Sequence, residues 1–147
     1  MVLVGVLLAE PGDLGEWLAD AAAFDAAGAD ALWVDFGPEP ALDELALVAA
    51  LAVVTFRARL VVALPDIPAR TRDTIARLSQ GRFTEPGEEV WERVPPPEGR
   101  ESFRQTRAAA AERGVTGVVV AAGPRLLDIL RNPDDPGERL DLQIAQG

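Results

Sequence analysis

The sequence predicts an α/β domain with a mainly parallel sheet, and three observations predict it. Short apolar runs of strand length recur along the chain, as expected for strands covered on both faces. Segments with helical spacing of apolar residues lie between them. Glycine, proline and aspartate punctuate the joins. Alternation of the two element types favours parallel strands joined by right-handed crossovers.

Val2 to Ala9 is a continuous apolar run and the first strand. Pro11-Gly12-Asp13 breaks it, and Asp13 is placed to cap a helix. Leu14, Trp17, Leu18, Ala21 and Phe24 follow at helical spacing, with Gly28 as the stop. Ala31 to Phe36 reads as the second strand, ended by Gly37-Pro38. A second helix is predicted from about Pro40 to Val54, with Asp43 and Glu44 in its first turn. Arg59 to Leu64 is a third strand, turned by Pro65-Asp66-Ile67-Pro68. A third helix covers Ala69 to Ser79, and Gly81-Arg82-Phe83 starts a short fourth strand.

From Glu85 to Arg100 the pattern breaks. Pro95-Pro96-Pro97 fits neither a helix interior nor a central strand, so this stretch is a loop or an edge segment, with Val90-Trp91 anchored on the core. A helix over Glu101 to Arg113, a strand over Val115 to Ala121 and a helix opened by Gly123-Pro124 complete the pattern. Residues 132–147 form a charged C-terminal arm. Its Leu140, Leu142 and Ile144 are expected to dock on the body or on a second subunit. About five strands are expected in a single domain over 1–147. A closed eight-stranded barrel takes roughly 250 residues. The expected architecture is therefore a partial, truncated TIM-barrel-like parallel sheet with flanking helices.

Composition narrows the chemistry. The net charge is −10, from 24 acidic and 14 basic residues, and there is no His and no Cys. Every basic residue is Arg, and Tyr is absent. Thiolate nucleophiles, cysteine metal sites, histidine bases, lysine Schiff bases and P-loops are excluded. The acidic balance argues against nucleic acid and anionic membrane as partners. The apolar start lacks a basic flank and is too short to span a bilayer, so a cytoplasmic protein is expected.

Three stretches stand in order over the first eighty-odd residues. They are Phe24 to Asp35 (F-D-A-A-G-A-D-A-L-W-V-D), Leu51 to Leu60 (L-A-V-V-T-F-R-A-R-L) and Leu78 to Phe83 (L-S-Q-G-R-F). Together they resemble the luciferase-like family of flavin- and deazaflavin-dependent oxidoreductases. Gly117 to Pro124 (G-V-V-V-A-A-G-P) resembles the family's late strand and phosphate-side helix start more weakly. The resemblance implies a barrel fold, FMN or a deazaflavin as cofactor, and oxidoreductase or monooxygenase activity. Two departures stand out. Asp35 is followed by Phe36 where members often carry Asp-His. Thr84-Glu85-Pro86-Gly87 and the proline stretch replace the glycine-rich run expected after the fourth strand. Both fall where a cofactor ring or substrate would sit.

In parallel α/β sheets, ligands gather at the carboxyl ends of the strands. Those ends carry Glu10, Asp35, Asp66, Thr84 and the Gly123-Pro124-Arg125 turn. Asp35 and Asp66 are the candidate catalytic residues, able to accept protons or bind a ligand hydroxyl. Glu10, Thr84, Gly123 and Arg125 are the candidate cofactor contacts, the last two offering a helix amino end and a guanidinium to a phosphate. No metal site is expected. The same residues also suit local roles: Asp35 and Asp66 as turn residues, Gly123-Pro124 as an ordinary helix start.

Two functions are compatible with these residues. One is a luciferase-like oxidoreductase of unknown small-molecule substrate. The other is a degenerate, non-catalytic member acting as a homodimeric structural or regulatory module. An unrelated doubly wound α/β domain with an anion site at Gly123 is a third expectation, which the strand order decides.

Overall fold

A computed structural model describes residues 1–64 and 66–134. The docking expected for Leu140, Leu142 and Ile144 falls outside the described residues. The described chain runs β1 (Leu3–Leu8), α1 (Leu14–Ala26), β2 (Ala31–Val34), α2 (Glu44–Val54), β3 (Arg59–Val62), α3 (Ala69–Leu78) and β4 (Phe83–Thr84). It continues with β5 (Trp91–Arg93), α4 (Arg100–Glu112), β6 (Gly117–Ala121) and α5 (Pro124–Arg131).

Local chemistry sets the element ends. Asp13 caps α1 by accepting the Glu16 N–H at 2.9 Å. Asp43 does the same for α2 through Ala46, at 3.1 Å. The second helix therefore starts at Glu44, not near Pro40, because the cap fixes its first turn. Among the described residues no helix is long and apolar enough to cross a membrane.

The sheet is parallel at every pairing and has the order β4-β3-β2-β1-β6-β5. Among the described residues it has six strands, one more than the sequence suggests. The extra one is β5, within the proline-rich stretch. The three prolines begin at Pro95, after the strand has ended, and β5 lies at a sheet edge, where neighbouring prolines are tolerated.

Each crossover from β1 to β4, and from β5 to β6, steps one place in the same direction across the sheet. A doubly wound sheet must reverse direction once. The order is that of a singly wound, barrel-like sheet, with a gap between β4 and β5. Right-handed crossovers then put the helices on one face. The burial follows. Val4, Val6, Leu32, Leu60, Val62, Val118 and Val120 form one core with Phe24, Leu51 and Ile75 of the helices. The opposite face carries Gly5, Ala31, Trp33, Arg59, Val61, Trp91 and Gly117, matched across the strands by register.

That second face is concave. In a flat sheet β3 and β5, four strand spacings apart, would be separated by roughly 19 Å. Yet the Arg59 guanidinium of β3 lies 5.7 Å from the Trp91 ring centroid of β5. Trp33 of β2 meets the same ring edge-on, 5.5 Å between centroids. The sheet curls until its own inner side chains touch.

Candidate functional site

The amino end of the sheet is the better ordered in hydrogen bonding. Asp25, at the end of α1 and only 3% exposed, accepts three backbone N–H groups: Phe56 at 2.7 Å, Arg57 at 3.0 Å and Ala58 at 2.7 Å. Arg82, entering β4, reaches the same turn from the other side. Its Nη1 donates to Thr55 Oγ1 (3.0 Å) and the Ala58 carbonyl (2.9 Å). Its Nη2 donates to the carbonyls of Ala52 (3.1 Å) and Thr55 (2.8 Å). Ser79, fully buried, accepts the Phe83 N–H at 3.2 Å. Asp25, Thr55 to Ala58, and Ser79 with Arg82 belong to the three stretches that carry the family resemblance. They meet in one network, on the stability side of a barrel and away from the rim where ligands bind.

The carboxyl rim is looser. Asp35 Oδ1 accepts the Gly37 N–H at 2.9 Å, so its carboxylate closes its own turn. Gly37 holds φ +73°, and a Cβ there would stand 3.0 Å from Glu10 Oε1. Glu10 thus lies against the turn that Asp35 closes. It lines a small cavity of about 130 Å³ with Phe36, Glu39, Leu42 and Leu47. Asp66 is exposed at φ +55°, a turn residue beyond β3. Thr84 ends β4 half-buried beside Val61.

The turn after β6 is flanked by two grooves. One, of about 370 Å³, runs between Pro96, Pro97 and Glu98 and the segment Ala121 to Leu126. The other, of about 420 Å³, lies between α1 and α5 and is lined by Trp17, Asp20, Phe24, Gly123 and Leu127. Trp17 is fixed there by donating its ring N–H to the Ala9 carbonyl at 2.8 Å. Arg125 Nη1 donates to the Glu98 carbonyl at 2.7 Å and so ties the proline loop to α5.

The structure therefore brings Gly123 together with Arg125, and Glu10 together with the Asp35 turn. Asp66 and Thr84 join neither pair. The chain matches no protein-family model and no curated protein.

For a flavin or deazaflavin the fit is partial. A phosphate has room at Gly123, where a Cβ would meet nothing within 4 Å, with a guanidinium in the same groove. But Pro124 supplies no N–H, and Arg125 is already bonded to the loop. At the β2 end, where the resemblance puts a ring, Asp35 turns back on its own backbone. The described residues do not assemble a ring site.

One cluster is not apparent from the sequence. On the concave face Glu89 accepts the Trp91 ring N–H at 3.0 Å and pairs with Arg59 at 3.2 Å. Those bonds, the Trp91 one first and the Arg59 one second, hold its carboxyl below the usual glutamate range. The available signal was a glycine inside each of two apolar strands, Gly5 and Gly117, which marks close approach.

Proposed function

We propose that the chain is a luciferase-like domain reduced to a half barrel that serves as a non-catalytic structural or regulatory module in the cytoplasm, paired with a second copy. One observation carries this reading: all three stretches of resemblance converge on the Asp25–Arg82 network at the amino end. They support kinship in fold. Among the described residues the rim offers no matching set of reactive groups, since Asp35 serves its own turn and Asp66 stands apart.

The contact with a second copy is assigned to Phe56. Phe56 is 76% exposed while its backbone is gripped by Asp25, and Val53, 58% exposed, is three residues away. A rigidly displayed apolar side chain favours association. The test is light scattering with absorbance and titration by FMN and a deazaflavin. A dimer mass that Phe56→Ser halves, with no bound chromophore and no saturable cofactor binding, is expected. A monomer, or saturable binding of either cofactor, overturns the reading.

The grooves beside Gly123 favour a second reading, the flavin- or deazaflavin-dependent oxidoreductase acting on a small molecule. Their volumes fall in the range of ordinary ligand sites. The chemistry would then belong to the cofactor. Cofactor binding weakened by Arg125→Ala supports this alternative.

A further inference from the structure

The half-buried indole of Trp91 sits in a slot lined by four different groups. Beneath it are two positions without side chains. A Cβ on Gly117 would stand 2.5 and 2.7 Å from Trp91 ring atoms, and one on Gly5 would stand 2.8 Å from the Trp33 ring and 3.2 Å from that of Trp91. Trp33 meets it edge-on, with an interplanar angle of 63°. Arg59 covers a face at 5.7 Å, and Glu89 accepts the ring N–H at 3.0 Å. Bare backbone, an aromatic edge, a cation and an anionic acceptor are the recognition elements of a planar aromatic N–H donor.

The place of Trp91 in the chain gives this slot a role. Residues 85–90 carry the chain from β4, at one sheet edge, to β5 at the other. Among the described residues no ladder joins those two strands. The link is pinned at its start by Arg72–Glu85 (2.8 Å) and at its end by Arg59–Glu89. Trp91 follows at once. A complete barrel fills its interior with layers of side chains from strands all round it. Among the described residues no strand faces β1 and β2 across the sheet's inner side.

We propose that Trp91 is held as an intramolecular ligand in a built indole slot, and that this latch closes the open side of the half barrel in cis. The ligand class of the slot is an indole-sized aromatic with one N–H donor. The concave face then needs no second copy to cover it. The inference does not rest on the Phe56 contact: the slot lies on the concave face, although Arg59 follows Phe56 by only three residues.

The experiment is chemical rescue. Trp91→Ala empties the slot, and free indole is the probe, read by thermal unfolding of the full chain. The variant is expected to melt earlier than the parent. Indole should raise its midpoint saturably, 1-methylindole less so, and neither should move the parent. A variant that melts like the parent, or gains no more from indole than the parent does, overturns the proposal. So does a variant that stays unfolded at saturating indole. A second measurement keeps the fold intact: Glu89→Gln and Arg59→Met should each raise acrylamide quenching of tryptophan fluorescence. Unchanged quenching in both would also count against the latch.

Discussion

Asp25 and Arg82 grip the same turn, residues 55–58, from opposite sides. The carboxylate takes its N–H groups and the guanidinium takes its carbonyls. The turn joins α2 to β3 at the amino end of the sheet. Neither residue faces the other, yet each orients the partner's acceptors or donors by fixing one short piece of backbone. Asp25→Ala strips three N–H groups of their acceptor at a buried site. It should cost about 3 kcal/mol or more, since unmade bonds to a charged group are expensive. Urea denaturation checks this, with an unchanged slope showing that two-state unfolding is retained.

Arg82→Lys should also destabilise, by about 2 kcal/mol, although charge is kept. One ammonium cannot reach four acceptors arranged for a planar fork. Because both residues serve the same turn, Asp25→Ala and Arg82→Lys should combine less than additively, by roughly 0.5–3 kcal/mol. A double-mutant cycle measures the difference, and strict additivity would show that the two grips are independent.

The strands and helices were legible because their punctuation is local. Asp13, Gly28, Gly37 and Gly123 lie at or beside element ends, and each acts within a few residues of itself. The α/β class and the parallel sheet followed from their alternation, whereas the strand order could not be read from it. What could not be read were relations across tens of residues. Asp25 is one acid on a helix, like Asp20, until its acceptor role for residues 56 to 58 is seen. The curl that brings Arg59 to Trp91 depends on cumulative strand twist, which no single residue announces. The rim residues show the converse. Their types suited a ligand site, but side-chain type does not say whether a carboxylate faces a ligand or, as with Asp35, its own backbone.

Gly117→Ala tests the inner layer from the backbone side. The added carbon would stand 2.8 Å from the Leu3 carbonyl oxygen as well as against the Trp91 ring. The ring can shift, but the strand carbonyl is held by β1. Overpacking of this kind should cost about 1–3 kcal/mol. The same change at Gly12, where a Cβ would meet nothing within 4 Å, is the control and should be close to neutral. Thermal unfolding of the two variants side by side is the measurement.

Glu89 gives the latch a pH dependence with a definite sign. Its folded pKa is depressed by the Trp91 and Arg59 bonds. A depressed carboxyl adds stability that is fully present above the ordinary value of 4.5 and is lost as pH falls through the folded value. The group is exposed, so the effect is modest and screened by salt. In Glu89→Gln, acrylamide quenching of the tryptophans should no longer rise between neutral pH and acid in the way the parent's does. An identical acid rise in both proteins would assign it to other carboxylates.

Asp35 separates the two functional readings most cleanly. Its one bond within the described structure is to Gly37, in a turn that an asparagine oxygen can close as well. If Asp35 is a turn residue, Asp35→Asn leaves the midpoint of unfolding and any cofactor titration unchanged, while Asp35→Ala lowers stability by about 1 kcal/mol. If it carries proton transfer, Asp35→Asn abolishes turnover at full stability, because the amide keeps the shape and loses the base. The geometry favours the first outcome. A carboxylate already accepting a 2.9 Å bond from its own turn is less free to move than a catalytic base requires.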